Sequence, residues 1–102
     1  FSIIPMDEAL ALISVDISGR PYLYYDVKTK QKKIGKFPLN LIEEMFQAFA
    51  NKSGITLHIK LLAGKGPHHS IEAVFKSFAM ALSTAVSIDA RSKDIPSTKG
   101  II

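Results

Sequence analysis

Ile55–Lys76 reads ITLHIKLLAGKGPHHSIEAVFK, and its two ends follow different periods. Ile55 to Leu62 has strand character, and Ala63 to Pro67 is a Gly-rich turn. From Pro67 the apolar residues Ile71, Val74, Phe75, Phe78, Ala79, Leu82 and Val86 recur at helical spacing, to about Ile88. A strand that turns directly into a helix with one apolar stripe implies a layer of helix over a layer of sheet.

Upstream the same two layers are prepared. Pro38 to Ser53 puts Leu39, Ile42, Phe46, Phe49 and Ala50 on one stripe and stops at Gly54, which predicts an amphipathic helix. Glu8 to Ile17 reads as a strand, Ser18-Gly19-Arg20-Pro21 as a turn, and Tyr22 to Val27 as a second strand, so a hairpin is expected there. Lys32 to Phe37 continues the second strand or makes a short third one, with Gly35 weakening either. The prediction is an α+β fold, a two-layer α/β sandwich in the order strands, helix, strand, helix. Both helices lie on one face of the sheet and the other face is open to a partner. Residues 1–88 form the sandwich, and residues 89–102, with little periodicity, form a tail that orders on contact.

Composition narrows the chemistry. The chain has 102 residues, 47% of them hydrophobic, which is enough for one core and too few for two. No apolar run approaches the roughly 20 residues of a membrane span, so the chain reads as soluble, with no membrane partner. With no cysteine, disulfides, thiolate metal sites and cysteine nucleophiles are excluded, and a reducing compartment fits. A net charge of +4 comes partly from Lys28, Lys30, Lys32, Lys33 and Lys36, which could meet phosphates or keep an edge strand soluble. The chain opens at Phe1 without an initiator Met, and we read it as a piece of something longer.

The densest chemistry is His68-His69 with Glu72. Pro67 suits the first helical position, so both histidines fall in the first turn, and Glu72 lies three and four residues on. Successive helical residues point about 100° apart, at ~3.6 residues per turn, so one ion is not held by both rings. Imidazole nitrogen with carboxylate oxygen suits Mn, Fe, Zn or Ni. The helix dipole repels a cation at this end by only ~0.3–1 kcal/mol, against ~10 kcal/mol or more from a filled structural metal site. One helix supplies two or three ligands at most, so the rest come from elsewhere. The alternative is a capped helix start with solvated histidines. His58, between Leu57 and Ile59, reads as a hydrogen-bonded strand histidine.

Four motifs occur in order: P-M-D-E-A-L (Pro5–Leu10), D-I-S-G-R-P-Y-L (Asp16–Leu23), H-H-S-I-E-A-V-F-K (His68–Lys76) and P-S-T-K-G (Pro96–Gly100). Together they resemble the imidazoleglycerol-phosphate dehydratases, and the likeness covers essentially the whole chain. It extends over only the C-terminal half of that enzyme, whose first half carries a twin HHxxE motif. The resemblance implies the ribosomal protein S5 domain 2-like sandwich, with a left-handed crossover contrary to the usual rule. It implies a carbon–oxygen lyase of histidine biosynthesis that converts imidazole glycerol phosphate to imidazole acetol phosphate. Two Mn(II) ions serve each shared site.

Carried over by position, His68, His69 and Glu72 are metal ligands, and Arg20, Lys76, Ser97 and Lys99 contact the substrate or its phosphate. Glu44 stands where many members have a ligating histidine, so it is either a substitute donor or a solvated charge; Asp7 lies near the site without an assigned role. The proton-abstracting carboxylate belongs to the other half, so these residues alone include no catalytic base and are expected to be inactive. The implied partners are the N-terminal half and further copies, trimers assembling into a hollow cubic particle of 24 subunits. The compartment is the cytoplasm, or the plastid in a plant. The lysine run, with Tyr22, Tyr24 and Tyr25 as stacking residues, supports a rival reading as a basic RNA-binding module.

Overall fold

The computed structural model describes residues 1–94. Strands β1 (Ser2–Met6) and β2 (Ala9–Asp16) pair antiparallel through the tight Asp7-Glu8 connection. β1 was not expected, because Pro5 interrupts a short apolar run. An edge strand tolerates that proline, since its missing N–H need not serve a neighbour.

β3 (Tyr22–Asp26) corrects the expected hairpin. After the Ser18–Pro21 turn it does not pair with β2. A later strand, β6 (Thr56–Ala63), lies between them, and the sheet order is β1-β2-β6-β3. β6 is antiparallel to β2 and parallel to β3, with Ser14 and Tyr24 both opposite His58. Hydrogen bonds hold the turn on the end of β6: Thr56 Oγ1 donates to the Arg20 carbonyl at 2.9 Å, and the Tyr22 N–H donates to the Ile55 carbonyl at 3.1 Å. The turn chemistry was local, whereas the partner strand arrives 30 residues later, beyond the reach of a local pattern.

Between β3 and β6 lie a two-residue pair, β4 (Lys33–Ile34) and β5 (Phe37–Pro38), turning at Gly35 with φ +59°, and helix α1 (Asn40–Ser53). α1 buries Ile42, Phe46 and Ala50 and ends on left-handed Gly54, whose N–H caps the Ala50 carbonyl. α2 (Pro67–Asp94) runs six residues past its expected end. Its buried residues are Ser70, Ile71, Ala73, Val74, Ser77 and Ala81, a smaller-residue stripe than expected, while Phe75 and Val86 are exposed. Small side chains let the helix approach the sheet closely. The Ser77 hydroxyl donates to the backbone carbonyl of Ser2, which ties α2 to β1. By length and composition Pro67–Ala90 could cross a membrane; here its buried stripe packs on the sheet.

Both helices cover one face. Ala9, Ala11, Ile13, Leu57 and Ile59 alternate inward against Phe46, Val74 and Ala81. Phe46 anchors this core, with Phe78 edge-on at 5.1 Å and Phe75 at 5.4 Å between ring centroids. The opposite face carries exposed Ile3, Tyr22, Tyr24, His58 and Leu62.

Candidate metal centre

Gly64 builds the site. Its φ is +105°, and a Cβ there would lie 2.8 Å from the Ala9 Cα, closer than any side chain could be accommodated. The turn from β6 into α2 is thereby seated against the start of β2. The residue before Ala9 is Glu8, and the residue two after Pro67 is His69, so this one close approach joins positions 61 apart in sequence.

His69 Nδ1 lies 2.9 Å from Glu8 Oε1 and 3.0 Å from Oε2, and its Nε2 is 3.6 Å from Asp7 Oδ2. Ligand atoms of Asp7, Glu8 and His69 all fall within 4.8 Å of one another. Asp7 is the non-glycine residue with positive φ, +50°, among the described residues, a conformation that aspartate tolerates in a tight turn. On the neighbouring line of α2, His68 Nε2 is 3.4 Å from Glu72 Oε2, and the two imidazole rings stand 5.9 Å apart at 69°. The rings therefore face different ways, as helical geometry requires.

Charge organises these groups. The hydrogen bond to His69 holds the Glu8 carboxyl below its usual range. Reciprocally, the hydrogen bond to Glu8, with the Glu8, Asp7 and Glu72 charges, raises His69 above the usual imidazole value despite some desolvation. Oxygen and imidazole donors without sulfur suit a divalent ion of the manganese or iron kind, so the residues present fit the expected metal.

The expected site residues fall into separate places. Lys76 is exposed one turn beyond Glu72 on α2. Arg20 is exposed past the far end of β2; the strand's seven steps from Ala9 to Asp16 span about 23 Å at ~3.3 Å per residue. Glu44 is exposed on α1 and is not in the His69 cluster. Ser97 and Lys99 lie outside the described residues. His58, read as a hydrogen-bonded histidine, is exposed on the open face with Tyr24 stacked on it at 5.4 Å and 20°. Glu8 was missed as a site residue: it reads locally as the first residue of a strand. The available signal was its place beside Asp7 in the P-M-D-E-A-L motif.

Fold and site together define a two-layer α+β sandwich with a helix-borne imidazole and carboxylate cluster of the kind that holds a divalent metal. The imidazoleglycerol-phosphate dehydratase model matches residues 1–82, and the chain belongs to that family. It is 54% identical over 99 residues to the imidazoleglycerol-phosphate dehydratase of Caldanaerobacter subterraneus, covering 97% of this chain and 51% of that protein. To the Syntrophus aciditrophicus protein of the same name it is 55% identical over 100 residues, with the same coverage. The crystal structure of the Staphylococcus aureus enzyme superposes with a TM-score of 0.79 at 48% identity, over 82% of this chain and 49% of that one. The Pyrococcus furiosus structure gives 0.72 at 44% identity, over 79% and 46%. The chain spans about half the length of the curated relatives it matches. The family match leaves the RNA-binding reading without support. Tyr22 and Tyr24 do lie on the open face, but Tyr25 turns inward against Phe46.

Proposed function

We propose that this chain supplies metal and phosphate ligands to a shared active site of imidazoleglycerol-phosphate dehydratase. The reaction is removal of water from imidazole glycerol phosphate to give imidazole acetol phosphate, in histidine biosynthesis in the cytoplasm. The observation that carries the shared-site reading is the separation of Arg20 from His69 at opposite ends of β2. One copy does not bring its arginine to its own histidines, so a complete site draws on neighbouring polypeptide.

Two Mn(II) ions are the cofactor this donor set suits, and when bound they would supply Lewis acidity for loss of the proton beside the substrate's imidazole ring. His68 with Glu72 on one line of α2, and His69 on the next, are the residues that would hold them. The guanidinium of Arg20, with Ser97 and Lys99, answers the substrate phosphate with charge-assisted donors, and Lys76 contacts the substrate. The proton-abstracting carboxylate comes from the N-terminal half, and the assembly is a cubic 24-mer built from trimers. Exposed apolar side chains support such partners on both surfaces: Ile3, Tyr22 and Leu62 on the sheet, and Leu41, Met45 and Phe75 on the helices.

The test is a Mn(II) titration of the chain, alone and mixed with the N-terminal half of a full-length relative, before and after His68→Ala. Uptake should weaken sharply in the variant, and turnover should require the mixture. Uptake indifferent to His68→Ala defeats the assignment.

A further inference from the structure

We propose that Glu8 is a positioning residue, holding His69 in the tautomer that turns its Nε2 lone pair outward to a metal. The inference rests on the proposed function and concerns an atom of the chain that the donor motif on α2 does not include.

An ionised carboxylate only accepts hydrogen bonds, so the nitrogen facing both Glu8 oxygens at 2.9 and 3.0 Å must carry the proton. Nδ1–H therefore donates to Glu8. In the neutral ring Nε2 is left unprotonated and points to the Asp7 side, where the nearest carboxylate oxygen is 3.6 Å away, beyond a good hydrogen bond. A ligating imidazole commonly has this arrangement: the hydrogen bond at one nitrogen fixes which other nitrogen binds, and also fixes the ring plane. Both Glu8 oxygens lie against Nδ1, so Glu8 acts on the ring from behind.

Its support is firm for an exposed side chain. Glu8 immediately precedes β2, whose next residue is fully buried, and Gly64 is in contact with that residue. A Cβ on Gly66 would also stand 3.6 Å from Glu8 Oε1, so the turn flanks the carboxylate. Position along β2 and position along α2 are thus set by the same packing, and the Glu8–His69 bond links the two.

The experiment has two readouts. Long-range proton–nitrogen correlation spectra of the metal-free chain, labelled at histidine nitrogen, report the His69 tautomer at alkaline pH, where the ring is neutral. Mn(II) titration of the assembled mixture reports affinity. The parent should show the Nδ1–H form; Glu8→Ala should shift His69 toward the Nε2–H form and weaken Mn(II) binding about 10–100-fold. Glu8→Gln, whose amide oxygen still accepts, should keep the parent tautomer and lose less affinity; it also serves if Glu8→Ala fails to fold. An unchanged tautomer in Glu8→Ala overturns the proposal, as does unchanged affinity. A parent that binds no Mn(II) defeats the proposed function instead, while the spectra still decide whether Glu8 sets the tautomer.

Discussion

A side-chain carbon on Gly64 would sit 2.8 Å from the Ala9 Cα and 2.9 Å from its Cβ, in a backbone conformation that L-residues rarely adopt. Gly64→Ala should therefore destabilise the chain by about 1–3 kcal/mol, from strain at positive φ and from displacement of β2. It should also lower metal affinity, because α2 begins three residues on. Gly66→Ala is the control. Its added carbon makes an ordinary contact with Glu8, and the variant should stay within about 1 kcal/mol of the parent. Urea denaturation measures both.

Ser70 is fully buried, and among the described residues its hydroxyl has no hydrogen-bond partner. A buried unpaired hydroxyl costs roughly 1–3 kcal/mol, so Ser70→Ala should be neutral or raise stability by about 1 kcal/mol. A loss above that would show that the hydroxyl is bonded in solution.

The Glu8–His69 pair gives a signed pH dependence. Glu8 has a lowered folded value, so its contribution is present above the ordinary 4.5 and is lost as pH falls through the folded value. His69 has a raised value, so its contribution is present below 6.5 and is lost as pH rises through the folded value. The pair stabilises most between about pH 4.5 and 6.5, and the Tm gap between parent and Glu8→Gln should be widest there. Mn(II) uptake displaces the His69 proton, so apparent affinity should fall as pH drops through the raised His69 value.

Tyr25 behaves differently: burial, with the Glu43 charge beside it, pushes its phenol up to about 12. The folded state keeps the proton longer than the unfolded chain, so stability should fall as pH rises from about 10 to 12. Tyr25→Phe keeps the ring against Phe46 and should flatten that decline, read by Tm against pH.

Phe46 is fully buried among Tyr25, Phe75 and Phe78. Phe46→Ala should cost about 3–5 kcal/mol, since the surrounding rings cannot collapse fully into the space. Thermal denaturation checks it.

The proposed shared site predicts complementation. Arg20→Ala and His69→Ala should each remove activity from the assembled enzyme, yet co-assembly of the two variants should restore part of it, because some sites then combine an intact arginine with an intact histidine. Equal inactivity of the mixture and of each variant alone would contradict sharing.

What the sequence made legible was local. The change of period across Ile55–Lys76, the glycines of its turn and Pro67 place β6, the turn and α2 correctly, and the Leu39–Ala50 stripe places α1. The histidine pair could be assigned to two directions from helical geometry alone. What it hid was long-range. Nothing near Ser18–Pro21 says that the strand after the turn will meet β6 rather than β2, and nothing near Glu8 says that His69 will lie on it. The serines of the α2 stripe were not among its expected core residues, because their value is small size at a close packing contact and, for Ser77, a bond to β1.

The insertion of β6 between β2 and β3 also bears on how the chain comes into being. During synthesis β2 and β3 emerge before β6, so their inner edges wait for the strand that pairs with both. Exposed edges of that kind invite pairing with other nascent chains. The hazard ends when that one late strand fills the gap, so the order in which strands appear adds an aggregation risk that the finished sheet no longer shows.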